Sequence, residues 1–110
     1  RADCFYYLPM NAIANGKTDA QTLRLCTTPA VTGFAEDCAQ AVGRNAGLAG
    51  ISLCRQAADS VFAACINGSI SLQLSSRLAT PTQARQSCRS SLHGTRRDIC
   101  TTMVTRLSKV

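Results

Sequence analysis

The residues able to do chemistry are few and scattered. His93 is the only histidine, and the acids are Asp3, Asp19, Glu36, Asp37, Asp59 and Asp98. Acid–base hydrolysis needs paired carboxylates or a histidine with a partner. Glu36 and Asp37 instead read as decoration of a helix N-terminus, where the helix dipole favours negative charge. No nucleophile-elbow, zinc-protease or glycine-rich phosphate motif is present. A secreted ribonuclease built on His93, Glu36 and arginines is conceivable in type, but His93 and Glu36 are expected on the solvent faces of different helices, with nothing to bring them together. No set of residues reads as catalytic, and no cofactor or metal site is expected.

The second chemical resource is sulfur. Cys4, Cys26, Cys38, Cys54, Cys65, Cys88 and Cys100 are spread evenly over 110 residues. Structural zinc and redox sites want close pairs such as C-x2-C, because both sulfurs must meet within one tight turn. Even spacing instead suits a disulfide framework, which adds ~2–4 kcal/mol per bridge and persists in oxidising compartments. The expectation is a secreted, extracellular protein. A start at Arg1 without an apolar leader fits a cytosolic or a mature, processed chain. Seven is odd, so one thiol is left over. A buried free cysteine is the favoured reading; a disulfide to a companion chain or a dimer stays open, as does the connectivity.

The third resource is arginine. The net charge is +6, all of it from residues 77–110. Arg85, Arg89, His93 and Arg96 or Arg97 recur at about every fourth position, a basic ridge along one helix face. A solvated face would explain a bare charge run. Like charges in one line with almost no acidic partners favour a binding role instead. Clustered guanidinium matches phosphate-rich surfaces, so the partner expected is an anionic cell surface or membrane component. Five aromatics, none interleaved with the ridge, provide no stacking platform for nucleic acid.

These side chains must be positioned by something. Asn67-Gly68 suits a two-residue type I′ turn, and Ser69, Ser71 and Gln73 then alternate with Ile70, Leu72 and Leu74. That predicts a hairpin over 61–74 with Cys65 facing the core. Thr28-Pro29 opens a helix with the stripe Val31, Phe34, Ala35, Cys38 and Val42. Thr80-Pro81 opens another, with Ala84, Cys88, Leu92 and Ile99 inward and Gly94 marking a bend or break. Cys4 to Leu8 and Thr101 to Leu107 read as strands. A short helical turn is expected near 20–25, and 51–54 reads as a helix exit or short strand. The sum is βαββαβ: one α+β domain, residues 1–110, with a four-stranded antiparallel sheet and two helices on one face. Asn67-Gly68-Ser69 is also an N-glycosylation sequon at the tip of that hairpin, its occupancy open.

A small, basic, cysteine-rich βαββαβ chain resembles the virus-encoded killer toxins of smut fungi and the related secreted fungal effectors. The resemblance rests on the strand at Cys4 to Leu8, the helix with Asp37-Cys38, the hairpin with Cys65, the helix with Cys88 and the last strand. It implies a non-enzymatic toxin, cut from a precursor at basic sites, that acts on the surface or membrane of target cells. The dibasic Arg96-Arg97 would survive such cutting by lying within folded helix. A plant-directed effector of the same fold is the alternative. A small secreted lipid- or sterol-binding protein is another, although lipid-transfer proteins carry adjacent cysteine pairs missing here and are all-helical, against the hairpin.

Overall fold

A computed structural model describes residues 19–27 and 34–108, and every element among them is helical. In chain order these are α1 (Asp19–Leu25), α2 (Ala35–Ala46), a 3-10 turn (Gly47–Ala49), α3 (Gly50–Cys54), α4 (Asp59–Ser75), α5 (Pro81–Ser91) and α6 (Gly94–Ser108). The expected four-stranded sheet is therefore wrong for the described residues. The proposed first strand at Cys4 to Leu8 and the Thr28-Pro29 helix start lie outside them.

The central hairpin fails for a specific reason. Residues 59–75 form one helix whose inward side carries Val61, Phe62, Cys65, Ile66, Ser69 and Ile70, a stripe repeating at i, i+1, i+4, i+5, i+8 and i+9. The serine–aliphatic alternation arises because Ser69 is a buried small residue, not an outward polar one; its hydroxyl donates to the Cys65 carbonyl one turn back, 3.1 Å away. Gly68 is not a turn residue either. A Cβ there would collide with the Gln40 carbonyl, and a Cβ at Gly43 with the Cys65 carbonyl. The two glycines let α2 and α4 pack backbone to backbone, and this is the most extensive helix pairing in the molecule.

The expected last strand is also helix. Thr101 and Thr105, β-branched and strand-like by type, donate their hydroxyls to the carbonyls of Arg97 and Thr101 within α6. Residues 51–54 form α3 rather than a strand, and α1 is the short helix expected near 20–25.

The second Thr-Pro start holds. Thr80 accepts from the Gln83 backbone N–H at 3.1 Å while its own N–H donates to Gln83 Oε1 at 2.8 Å, a reciprocal cap with Pro81 in the first turn. The chain breaks where expected: Leu92 is extended, and Gly94 starts α6 at φ +59°. α5 and α6 thus form an antiparallel helical hairpin.

One apolar cluster joins all six helices, from Leu23 in α1 through Val42, Ile51, Phe62, Ile66 and Ile70 to Ala84 and Val104. Three disulfides lie within it: Cys26–Cys38, Cys54–Cys65 and Cys88–Cys100. Each ties an element to the next one along the chain. Cys38, expected to face a sheet, meets α1 instead. All six partners are 0% exposed, which leaves Cys4, outside the described residues, as the odd cysteine. The helix over 59–75 also removes the hairpin as an objection to lipid binding.

Candidate anion-binding surface

The break at 92–93 divides the expected basic ridge between two antiparallel helices, and its five members part company. Arg85, half-buried on α5, reaches across to α6, its Nη2 donating to Thr105 Oγ1 at 3.3 Å. Arg89 is exposed on α5, and His93 is exposed in the link.

Arg97 turns back onto the end of α5. Its Nε donates to the Leu92 carbonyl at 2.8 Å and its Nη2 to the Arg89 carbonyl at 3.1 Å, with His93 Nδ1 3.2 Å from the same Nη2. A cation there satisfies carbonyls that a helix end leaves without partners, at the negative end of its dipole. Arg97 is first a cap.

Arg96 is further from the expected role. Its guanidinium lies 4.4 Å from the centroid of the Phe62 ring. Nη1 donates to the Cys54 and Arg55 carbonyls at 3.3 and 3.1 Å, and Nη2 to the Ala57 carbonyl at 2.9 Å and Asp59 Oδ1 at 2.6 Å. The planar fork of arginine makes this set possible; the point charge of lysine would not. Arg96 pins α6 to the α3–α4 connection. The surface that remains for binding is Arg85, Arg89 and His93, with Arg106 exposed on α6 and Asp98 the one acid on the hairpin.

The sequence spacing missed two arginines. Arg44, at the end of α2, and Arg77, in the turn after α4, line an open groove of about 550 Å³ at the far end of the hairpin from His93. Leu72, Leu74, Pro81 and Leu107 supply its apolar wall, and Ser71, Ser75 and Ser108 its hydroxyls. One local signal for Arg77 existed: helix α4 ends without a glycine. Arg77 itself takes the left-handed conformation, φ +57°, in a Schellman-type close, with its N–H on the Leu74 carbonyl and that of Leu78 on the Gln73 carbonyl.

Asn67 is not at an exposed tip. It lies mid-helix, half-buried, its side-chain oxygen accepting from Gln40 Nε2 at 2.8 Å, with Ser69 of the sequon fully buried. A glycan on Asn67 would displace that bond and the α2–α4 contact around it. Glu36 sits in the first turn of α2, as its charge suggests, and Asp59 is engaged by Arg96. Among the described residues no three His, Cys, Asp or Glu side chains are grouped to hold a metal ion, and no helix is long and apolar enough to cross a membrane. No family model, curated protein or solved structure matches this chain.

Proposed function

We propose that this chain is a secreted, non-enzymatic protein of the toxin or effector type that docks on anionic cell surfaces through the α5–α6 hairpin. The observation that carries the reading is a rigid hairpin, closed by Cys88–Cys100, on which Arg85, Arg89 and Arg106 stand against a single acid. Three disulfides in so short a chain support an oxidising compartment. The killer-toxin likeness contributes nothing structural, because the described residues hold no sheet of the kind on which it was drawn. The reading rests on charge and rigidity alone.

Co-sedimentation with vesicles tests it. Binding to phosphatidylcholine vesicles containing a third phosphatidylglycerol should be strong at low salt and fall steeply as salt is raised, since exposed charges are screened beyond ~8–10 Å at physiological ionic strength. Each basic group near such a surface contributes about 1 kcal/mol. Reversing two of them, Arg85→Glu with Arg89→Glu, should therefore weaken binding by two orders of magnitude or more and lower toxicity to sensitive cells in parallel. Equal binding to neutral vesicles, or an undiminished double variant, would leave the hairpin as a solvated face.

A further inference from the structure

One face of α6 borders α4 and not α5, along a second open groove of about 370 Å³. Ile99 and Met103, half-buried, make its floor with the exposed Thr102 and the exposed Ala63 of α4. Asp98 stands toward the start of α6 and Arg106 toward its end. No other charged side chain is in the lining.

Asp98 and Arg106 are both exposed, and neither side chain has a hydrogen bond or ion pair with another described residue. They cannot satisfy each other within one chain, because eight residues of helix hold them about 12 Å apart. Asp98 is also the only acid in residues 60–110. It lies beyond the first turn of α6, where the helix dipole no longer accounts for an acid. Thr102 falls midway, four residues from each charge. The face thus carries one acid and one base placed evenly about a small residue, with apolar side chains between them.

We infer that this face pairs with the same face of a second copy, α6 lying antiparallel to α6 about a two-fold axis at Thr102. A two-fold interface must be complementary to itself. Reversing the helix sets Asp98 of each copy level with Arg106 of the other, so all four charges are met. Ile99 and Met103 of the two copies then cover each other between the ion pairs, and Thr102 at the axis is small enough for a close approach. The net charge of +6 repels the copies elsewhere, and one helix face is well below the ~1,600 Å² of a standard interface. The dimer is therefore weak, with a Kd on the order of tens to hundreds of micromolar. The inference does not rest on surface docking, since Arg85 and Arg89 do not line this face. In the dimer Arg106 is engaged by Asp98 of the other copy, which leaves docking to Arg85 and Arg89.

Sedimentation equilibrium of the intact, oxidised chain tests this, with Cys4 alkylated so that no covalent dimer contributes. The parent chain should pass from monomer to dimer as its concentration rises into the millimolar range. Asp98→Arg and Arg106→Asp should each weaken the dimer at least tenfold by setting like charges opposite one another. Their melting temperatures should stay near the parent's, because both side chains are exposed. Arg106→Asp also lowers the net charge, so general repulsion alone would make that variant associate more, not less. An equimolar mixture of the two variants should recover a dimer of parental strength. In the mixed pair the introduced arginine faces the introduced aspartate, and the native Arg106 still faces the native Asp98. Arg85→Glu with Arg89→Glu should still dimerise, which keeps this result apart from vesicle binding. A parent chain that stays monomeric into the millimolar range would overturn the inference. So would an undiminished single variant, a mixture no more dimeric than its parts, or a dimer lost with Arg85 and Arg89.

Discussion

Arg96 shows how much one side chain can be asked to do. Its bonds to three main-chain carbonyls and its place on Phe62 make it a joint between α6 and the α3–α4 connection, and its ion pair is the least of these. Asp59 is 98% exposed, so Asp59→Asn should cost less than about 1 kcal/mol. Arg96→Ala, which strips charge-assisted bonds from the carbonyls, should cost about 2–3 kcal/mol in denaturant unfolding. Near-equal losses from the two variants would mean that the ion pair, not the carbonyl set, holds the joint. Reversing Arg96 is therefore a poor test of surface binding, since it would loosen the fold and the ridge together. The position of Arg96 on the chain told of charge; only its neighbours in space reveal a structural part. Arg77 shows the converse: it was counted in the charge, yet its place in a groove depends on α2, α4, α5 and α6 meeting.

At the scale of elements, α4 is where sequence reading and structure diverge. Asn67-Gly68 followed by strict alternation carries a strong hairpin signal, and local preference points away from helix at both residues. Tertiary contact overrides it. Gly68 and Gly43 sit where α2 and α4 cross too closely for a Cβ, and Ser69 fills a space that Leu could not. Small residues at a close helix crossing and small residues at a turn look alike when the partner helix is unseen. Gly68→Ala should therefore destabilise the chain by roughly 1–3 kcal/mol, although alanine is the better helix former. A stabilised Gly68→Ala, measured by thermal or urea unfolding, would mean that the α2–α4 crossing leaves room for a Cβ and that the glycine is not what sets it. Elements whose signals are self-contained were legible: the Thr80-Pro81 start, the stripe through Ala84, Cys88 and Leu92, and the break at Gly94. The basic ridge was legible as residues and lost as a line, because the same break turns its second half around.

For the whole molecule, disulfide pairing follows chain order. The bridges span 12, 11 and 12 residues, and none encloses another. Loops of this size each restrict the unfolded chain by about 3 kcal/mol. Replacing Cys54 and Cys65 together by alanine should then lower stability by about that amount while leaving the helical circular dichroism largely intact at low temperature. Loss of less than about 1 kcal/mol would indicate that the α3–α4 packing alone sets this geometry. The sequence pointed to a bridged framework, but its spacing could not choose partners, since that choice depends on which helices are adjacent.

Non-overlapping bridges also decide what a protease leaves behind. A cut after Arg77, exposed beside the 67%-exposed Leu78, falls between two covalent loops, so none of the three bridges ties the residues beyond it to those before it, and only packing and the Arg96 contacts hold the hairpin in place. A cut after Arg96 or Arg97 falls inside the Cys88–Cys100 loop, and both pieces stay on one molecule. A dibasic-specific processing enzyme could thus nick this chain at 96–97 and leave both pieces covalently joined, whereas one scission at Arg77 would leave both arms of the basic hairpin held by noncovalent contacts alone.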